Sequence, residues 1–276
     1  AKHLDLTGTL TLSLAVFGLV YLITQGHVLD LPWAVAAAVA VAVCFTAFIR
    51  VEQRQAHPMF DFAVFGNRRF SGAILGCIAM NVSYWPFVIY LPIYLKSVLE
   101  YDALSVGLCL LAYTLPALIF PPLGERMSLR YGGNVVIPLA LFTIGLGFVA
   151  MRIGSGAAEP NWLTIVPGLM LAGIGLGIVN TPVTNTTTAS VPPNRAGMAS
   201  GIDMSARLIT LAINIAVMGL ILVHGIESAL QRAAAMPIET MHLRAVAEII
   251  AAGDVGSHGS LDGLSGLLLK RALAEG

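Results

Sequence analysis

Seven stretches of this chain are predominantly apolar over 17 to 27 residues each, and this pattern limits what the chain can fold into. A helix needs about 20 such residues to cross the hydrocarbon core of a bilayer. Short connections rich in Gly, Pro and Asn separate the stretches, as is typical of turns between helices. We therefore predict an all-α, polytopic membrane protein with about seven transmembrane helices. The predicted spans are 6–24, 32–49, 70–95, 104–122, 135–151, 162–188 and 197–223.

The composition excludes a soluble globule and several functional classes. Charged residues make up 11% of the chain and hydrophobic residues 57%, with a mean hydropathy of +0.83, whereas soluble domains carry about 25% charged residues. The formal net charge is +0 and no basic run stands out, so nucleic acid is not an expected partner. The histidines and cysteines form no HExxH or CxxC motif. We therefore expect no metal, no cofactor and no enzyme active site.

The basic residues indicate which side of the membrane each loop faces. Eight of them lie in one set of loops and two in the opposite set, and the richer set is expected in the cytoplasm. The richer set is Lys2, Arg50, Arg54, Arg68, Arg69, Arg126, Arg130 and Arg195, and the opposite set is Lys96 and Arg152. We therefore predict a cytoplasmic N-terminus and an external tail after residue 223, although that tail carries four more bases.

The last predicted span holds four polar residues on one side of its helix. In "RAGMASGIDMSARLITLAIN" (195–214), Asp203, Arg207, Thr210 and Asn214 fall within an arc of roughly 60°. They extend about 16 Å along the helix axis at 1.5 Å per residue. Lipid cannot satisfy polar groups, so the stripe must face the interior of the bundle or a water-filled cavity. There Asp203 and Arg207 can pair directly, because they stand four residues apart.

Two roles for this charged pair stay open. In one, the two charges neutralise each other and fix the packing or gating of the helix. In the other, they exchange a proton during a transport cycle. A charge in hydrocarbon costs roughly 2.5–3.5 kcal/mol, so both residues are functional candidates. An adjacent arginine favours the ionised carboxylate, which makes a paired Asp203 a poor proton carrier, and we therefore favour the structural or gating role.

Two other spans carry polar side chains at depth. The third span has an amide and two aromatic residues near its middle, away from the interfaces where aromatic belts lie. These residues could stack an aromatic or cationic ligand, and interior packing explains them equally well. The sixth span ends in three polar residues on one helix face, which indicates a hydrated vestibule or a helix end among headgroups. The candidates for a substrate cavity are Asn81, Tyr84, Trp85, Asn180, Thr184 and Thr188.

Three stretches, in this order, resemble one family of transporters. The stretch "VEQRQAHPMFDFAVFGNRRFSG" (51–72) is similar to the cytoplasmic linker of drug:proton antiporters of the fourteen-span EmrB/QacA type, in the major facilitator superfamily. "LPIYLKSVLEYDALSVGL" (91–108) resembles the seam between the first two helices of their C-terminal half. "SVPPNRAGMASGIDMSAR" (190–207) resembles the turn and helix start before their penultimate span. The resemblance covers about residues 5–223.

The resemblance implies a division of the chain. Residues 1–50 would form two linking transmembrane helices, 51–69 a cytoplasmic linker, 70–224 five helices of the C-terminal bundle, and 225–276 an extracytoplasmic loop, in which 239–253 could form a short helix. It also implies a transporter truncated at both ends, with a last span missing after the loop. Spans three and six would line the central cavity, and spans four and seven would lie where the two halves meet. Asp203 departs from the family pattern, in which an amide is usual.

The loop "PPLGERMSLRYGGN" (121–134) resembles the family's gating loop, a G-x-x-x-D-R-x-G-R type motif. Arg126, Arg130 and Gly132 match that motif. Leu129 stands where the acid is expected, and Glu125 lies one turn earlier. The resemblance therefore implies gating roles for Arg126 and Arg130, with Glu125 as the candidate that replaces the acid.

The function implied by the resemblance is proton-coupled efflux of drugs or other small molecules by alternating access, in the plasma membrane (the bacterial inner membrane). The expected partners are the lipid bilayer, a small hydrophobic or cationic substrate and protons, and a periplasmic adaptor is a further candidate. No Walker loop is present. Because a fold does not fix a substrate, transport of a siderophore, lipid, sugar or peptide is the alternative. A seven-span receptor is disfavoured, since the last span lacks the midspan lysine of a retinal pigment.

Overall fold

The described residues form eight α-helices, where the sequence is apolar or rich in helix-forming residues. The computed structural model describes residues 6–26, 29–54, 60–97, 99–156 and 161–233, and the described part contains no β-strand. The helices are α1 (Leu6–Gln25), α2 (Leu31–Arg54), α3 (Arg68–Ser97), α4 (Ala103–Ile119), α5 (Pro121–Tyr131), α6 (Gly133–Ser155), α7 (Trp162–Ala189) and α8 (Ala196–Ala233). Short 3₁₀ turns precede α3 (Phe62–Gly66) and α8 (Pro193–Arg195).

The number of helices long and apolar enough to cross a membrane agrees with the prediction. Six single helices of the described residues meet that criterion, and the bent pair formed by α4 and α5 makes a seventh if it counts as one span. The outer surface of the bundle carries large apolar side chains, such as Phe17 (74% exposed) and Trp33 (69% exposed). Water would oppose such a surface and lipid does not, so the predicted all-α membrane fold is confirmed.

Helix α7 is the central helix of the bundle. It packs along much of its length on α6 and also contacts α3, α4, α5 and α8. Small residues permit this close packing: on the α6 side, Gly168 and Gly175 lie against the main chain of Gly147 and Ala140. The buried core around α7 includes Leu169 at 1% exposure. Helices α1 and α2, which the resemblance predicts to be linking helices, pack on each other, and α1 also packs on α8.

Two GxxxG patterns of the sequence, Gly173–Gly177 and Gly197–Gly201, have different environments. A Cβ on Gly173 would overlap the main-chain oxygen of Tyr113, and one on Gly177 would crowd Pro116 and Phe120, so this pattern holds α7 against α4. Cβ atoms at Gly197 and Gly201 would meet nothing within 4 Å. Only the first pattern therefore brings two described helices into close contact.

The fourth span differs from its prediction. We expected a helix over 104–122 and a loop after it, but α4 ends at Ile119 and a separate helix, α5, starts at Pro121. The two axes differ by 42°. Proline lacks a backbone N–H and is tolerated in a first helical turn, so Pro121 and Pro122 start a new helix instead of continuing α4. Gly132, whose φ of 84° is costly for other residues, ends α5. The proposed gating segment is thus mostly helical.

The last helix is longer than predicted. We expected span seven to end at residue 223, yet α8 continues to Ala233, so the first nine residues of the predicted extracytoplasmic loop are helical. Helix α8 contains no proline that would stop it, and both Gly219 and Gly225 are accommodated within it. The short helix predicted over 239–253 lies outside the described residues.

Polar side chains define the starts of two helices at one end of the bundle. Asp102 accepts a hydrogen bond from the N–H of Ser105 (3.3 Å) at the start of α4. Hydrogen bonds from the side chain and backbone of Ser105 lower the pKa of this carboxyl, so the cap weakens as the pH falls through that lowered pKa. At the start of α7, Asn161 and Thr164 form a reciprocal capping box.

At the opposite end, the segment before α3 is fastened to the turn before α8. Asp61 forms an ion pair with Arg195 (2.5 Å), and the Asn67 side chain donates to the main-chain oxygen of Ser190 (2.9 Å). We refer to these two contacts as the clasp. It joins chain segments more than 120 residues apart.

The close approach of α7 to α4 yields a test of the packing. Gly173→Ala should lower the free energy of unfolding by about 1–3 kcal/mol, because the added Cβ must push the α4 backbone away. Gly201→Ala is the matched control and should be neutral or stabilise by up to about 1 kcal/mol, since Ala favours helix and meets open space. Thermal unfolding of both variants in detergent measures this, and equal midpoints would contradict the assigned contact.

Candidate functional site

A cavity of about 480 Å³ lies between α3, α4, α7 and α8; we call it the central cavity. Most of its wall is apolar, from Met, Leu and Ala side chains, and the polar groups are few. Concave, mainly apolar sites with a few placed polar groups are typical of small-molecule binding. Of the predicted cavity and stripe residues, five line it: Asn81, Tyr84, Trp85, Asn180 and Arg207.

Arg207 is the centre of a polar network at the wall of this cavity. Its Nε donates to Oδ2 of Asp203 (3.0 Å), Nη1 donates to Oδ1 of Asn180 (3.1 Å), and Nη2 donates to Oγ1 of Thr184 (2.9 Å). Thr184 in turn donates to Oδ2 of Asp203 (3.5 Å). The network therefore joins one helix face of α7 to the polar stripe of α8, and it uses three of the predicted candidates around one guanidinium.

The two charges of the network are buried to different degrees. The Asp203 side chain is 7% exposed and lies behind Arg207, whose side chain is 19% exposed. Among the described residues, none provides a hydrogen-bond partner for Oδ1 of Asp203. Arg207 is the charged side chain that reaches the wall of the central cavity. The pair presents an arginine to the cavity while its countercharge stays inside the protein.

A second group of contacts forms the aromatic wall of the cavity on α3. The Trp85 indole donates to Oδ1 of Asn81 (3.0 Å), and Nδ2 of Asn81 donates to the main-chain oxygen of Cys77 (2.8 Å). The Tyr84 and Trp85 rings meet edge to face at 4.9 Å, and Tyr84 also stacks on Tyr113 at 6.0 Å. The rings pack inside the bundle, as one of the two explanations predicts, and Tyr84 and Trp85 also line the cavity. That they stack a ligand stays a prediction.

The remaining stripe residues lie away from the cavity. Asn214 is buried and donates to the main-chain oxygens of Val82 (3.0 Å) and Asn81 (3.4 Å), which ties α8 to α3. Thr210 is half-buried on α8 and does not line the central cavity. Thr188 donates to the carbonyl of Thr184 in its own helix (3.0 Å) and also lies outside the lining.

The three gating candidates lie on α5. Glu125, Arg126 and Arg130 are exposed, and the Arg130 guanidinium lies over the Tyr131 ring at 5.3 Å. Within the described part of the chain, the ion pairs are Arg195 with Asp61 and Arg207 with Asp203. Glu125 therefore forms no ion pair with a described residue in this conformation.

Two residues of the site gave no signal in the sequence. Thr114 lines the cavity from α4, and Tyr113 supports Tyr84 from behind while fully buried. Both belong to a long apolar run with no polar periodicity, so their orientation depends on how α4 packs. Thr114 is the one threonine of that run, and a single polar residue does not show which side of the helix faces a cavity.

Comparison with known proteins gives the context of this site. The sequence model described as Major Facilitator Superfamily matches residues 6–215. The chain is 28% identical over 258 residues to the multidrug resistance protein Stp of Mycobacterium tuberculosis, covering 91% of the chain and 47% of Stp. It is 27% identical over 223 residues to the quinolone resistance protein NorB of Staphylococcus aureus, covering 78% of the chain and 47% of NorB. The chain thus spans about half the length of the curated relatives it matches.

The network predicts an energetic coupling between its two charges. Arg207→Met should lower the free energy of unfolding by on the order of 3 kcal/mol, because it leaves the buried Asp203 carboxylate without its countercharge. The double variant Asp203→Asn/Arg207→Met should recover part of that loss, since no charge then stays buried.

Thermal unfolding in detergent measures the complete double-mutant cycle. Arg50→Met serves as a control, because Arg50 is exposed and forms no ion pair with a described residue. Additive effects of the two substitutions at Asp203 and Arg207 would show that the pair contributes no coupling.

Proposed function

Because the chain belongs to the Major Facilitator Superfamily, we propose that it forms the C-terminal half of a fourteen-span transporter of the EmrB/QacA type. That transporter exports hydrophobic or cationic small molecules by alternating access, driven by proton influx. The observation that carries this proposal is the central cavity, where a largely apolar, aromatic wall meets the Arg207 network. The names of the relatives support it, since Stp is a multidrug resistance protein and NorB a quinolone resistance protein.

The chemistry of the cavity supports a flat, largely apolar substrate. Tyr84 and Trp85 offer aromatic surface, and the apolar side chains beside them exclude water from a bound molecule. Aromatic faces attract cations, and Asp203 neutralises Arg207 at 3.0 Å. The pair therefore presents no net charge that would repel a cationic drug. Asn180 and the outer guanidinium nitrogens of Arg207 provide polar contacts that would orient a substrate.

We assign the Asp203 and Arg207 pair a gating role in this cycle. In the observed conformation it cross-links α7 and α8 through Asn180 and Thr184. Binding sites of secondary transporters lie near the midplane, and access alternates as the helices around them rock. Movement of α8 relative to α7 must break at least two hydrogen bonds to Arg207, so the network favours one arrangement of the helices. A substrate that competes for Arg207 would weaken that preference.

The transport proposal is tested on the full-length native protein in everted membrane vesicles. Ethidium uptake should start when a proton gradient is imposed and collapse when an uncoupler is added, because the gradient supplies the driving force. Fluorescence of accumulated ethidium reports uptake. Uptake that persists with the uncoupler would rule out proton coupling. Absence of uptake for ethidium and a panel of drugs, with protein of normal abundance, would direct the search to other solutes.

Two substitutions then assess the network. Arg207→Gln should lower the uptake rate at least tenfold, because it removes the guanidinium that cross-links α7 and α8. If the pair has only a gating role, Asp203→Asn should retain uptake, to the extent that the asparagine side chain keeps the hydrogen bonds of the carboxylate. Complete loss of proton dependence in Asp203→Asn, with substrate binding intact, would instead make Asp203 the proton carrier and overturn the gating assignment.

The aromatic wall gives a separate test of substrate binding. Trp85→Ala should raise the KM for ethidium about tenfold, since a desolvated contact between a cation and an aromatic ring contributes roughly 1–2 kcal/mol. Trp33→Ala is the matched control, because Trp33 lies on the lipid-facing surface of α2 and is 69% exposed. Concentration dependence of uptake in the same vesicles measures both. An equal effect of the two substitutions would show that Trp85 does not contact the substrate.

A further inference from the structure

A second cavity, of about 810 Å³, lies at the end of the bundle where α3 and α6 begin and α5 and α7 end. We call it the arginine pocket. Its charged lining residues are Arg68 and Arg69, both exposed, and no acidic residue lines it. Neither arginine forms an ion pair with a described residue. The pocket thus holds two positive charges that no described acidic side chain pairs with, beside uncharged polar and small apolar side chains.

The helix ends in the arginine pocket also favour a negative ligand. Helix α6 starts at Gly133 without a side-chain cap, and its first hydrogen bonds to Gly132 come from Val135 and Val136. The N–H groups of Gly133 and Asn134 therefore lack intrahelical acceptors. The start of a helix carries a partial positive charge, equivalent to roughly half an elementary charge, and such N–H groups bind phosphates readily.

Two helix ends of opposite sign, those of α5 and α7, also reach the pocket. At the end of α5, the Ser128 carbonyl accepts from the Gly132 N–H (2.8 Å). The Thr186 carbonyl accepts from the Ser190 hydroxyl (2.6 Å), the Thr187 carbonyl accepts from the Ser190 N–H (3.3 Å), and the Ser190 carbonyl accepts from Asn67 (2.9 Å). Internal donors thus satisfy several of the carbonyls at these two ends, whereas the start of α6 has no side-chain cap. The charged side chains that line the arginine pocket are both positive.

The place of the pocket in the bundle indicates the source of the anion. Three apolar helices start or end at this level, which is where lipid headgroups meet the hydrocarbon core. It is also the end that the basic residues predict to be cytoplasmic, where anionic lipids attract arginine. Ala73, Ile137 and Pro138 form an apolar part of the lining that could contact the first carbons of an acyl chain.

We propose that the arginine pocket binds the phosphate group of an anionic phospholipid. Arg68 and Arg69 pair with the phosphate oxygens, and the free N–H groups at the start of α6 donate to the same group. Occupation by lipid then links α3 to α6 at the headgroup level, across a space that protein side chains leave open.

The test measures lipid binding to the full-length native protein by native mass spectrometry, with phosphatidylglycerol and phosphatidylcholine as probes. Phosphatidylglycerol should bind about tenfold more tightly than phosphatidylcholine, given two arginines near the membrane surface. Arg68→Gln/Arg69→Gln should abolish this preference. Arg50→Gln/Arg54→Gln is the matched control, because both residues are exposed at the same predicted side and do not line the pocket, and it should keep the preference.

Equal loss of preference in the two double variants, or an unchanged preference in Arg68→Gln/Arg69→Gln, would overturn the proposal. Inorganic phosphate is the third probe and separates the two sources of the anion. If it displaces phosphatidylglycerol only at a large excess, the site is a lipid site. If it binds as tightly as the lipid and depends on Arg68 and Arg69, the ligand is a soluble phosphate and the lipid assignment is wrong. Unfolding midpoints in phosphatidylcholine check that both variants fold.

Discussion

The arrangement of this bundle depends on a guanidinium that cannot face lipid. Arg207 lies within an otherwise apolar helix, and its charge is acceptable there because Asp203, Asn180 and Thr184 surround it. Those partners come from two helices, so α7 and α8 must lie with particular faces together. When these faces of α7 and α8 are together, the apolar faces of α8 lie towards lipid or α3, and Asn214 donates a hydrogen bond to the α3 main chain. One desolvated charge thus fixes the rotation of the helix that carries it.

The central position of α7 has a different physical origin. Its glycines let α4 and α6 approach so closely that their main-chain atoms occupy the space a Cβ would need. This close approach gives extensive dispersion contact without a hydrophobic driving force. Close packing on two sides leaves the third side of α7 for the polar residues that reach Arg207. Steric and electrostatic requirements therefore use separate faces of one helix, and the central cavity forms beside the polar face.

The sequence predicts more of the fold than of the site. Seven apolar runs determine the helices, since each backbone polar group in lipid must be satisfied within its own segment. The pairing of Asp203 with Arg207 was predicted from their spacing. Their contacts with Asn180 and Thr184 on α7 were not, because the sequence does not show which polar faces meet. The break at Phe120 was not predicted, because Pro121 can either kink a helix or start one. Nor was the role of Tyr113, since in a uniformly apolar run no period shows which side faces the core. Thr188 shared a helix face with Asn180 but lies too far along the axis to reach the cavity.

The clasp restricts how α1 and α2 can move relative to α8. Asp61 and Asn67 lie between α2 and α3, and they hold the turn that leads into α8. Helix α1 packs on α8 as well. The pair α1 and α2 is therefore connected to α8 at two separate places, through the clasp and through the packing of α1. Any movement of α8 would therefore carry α1 and α2 with it.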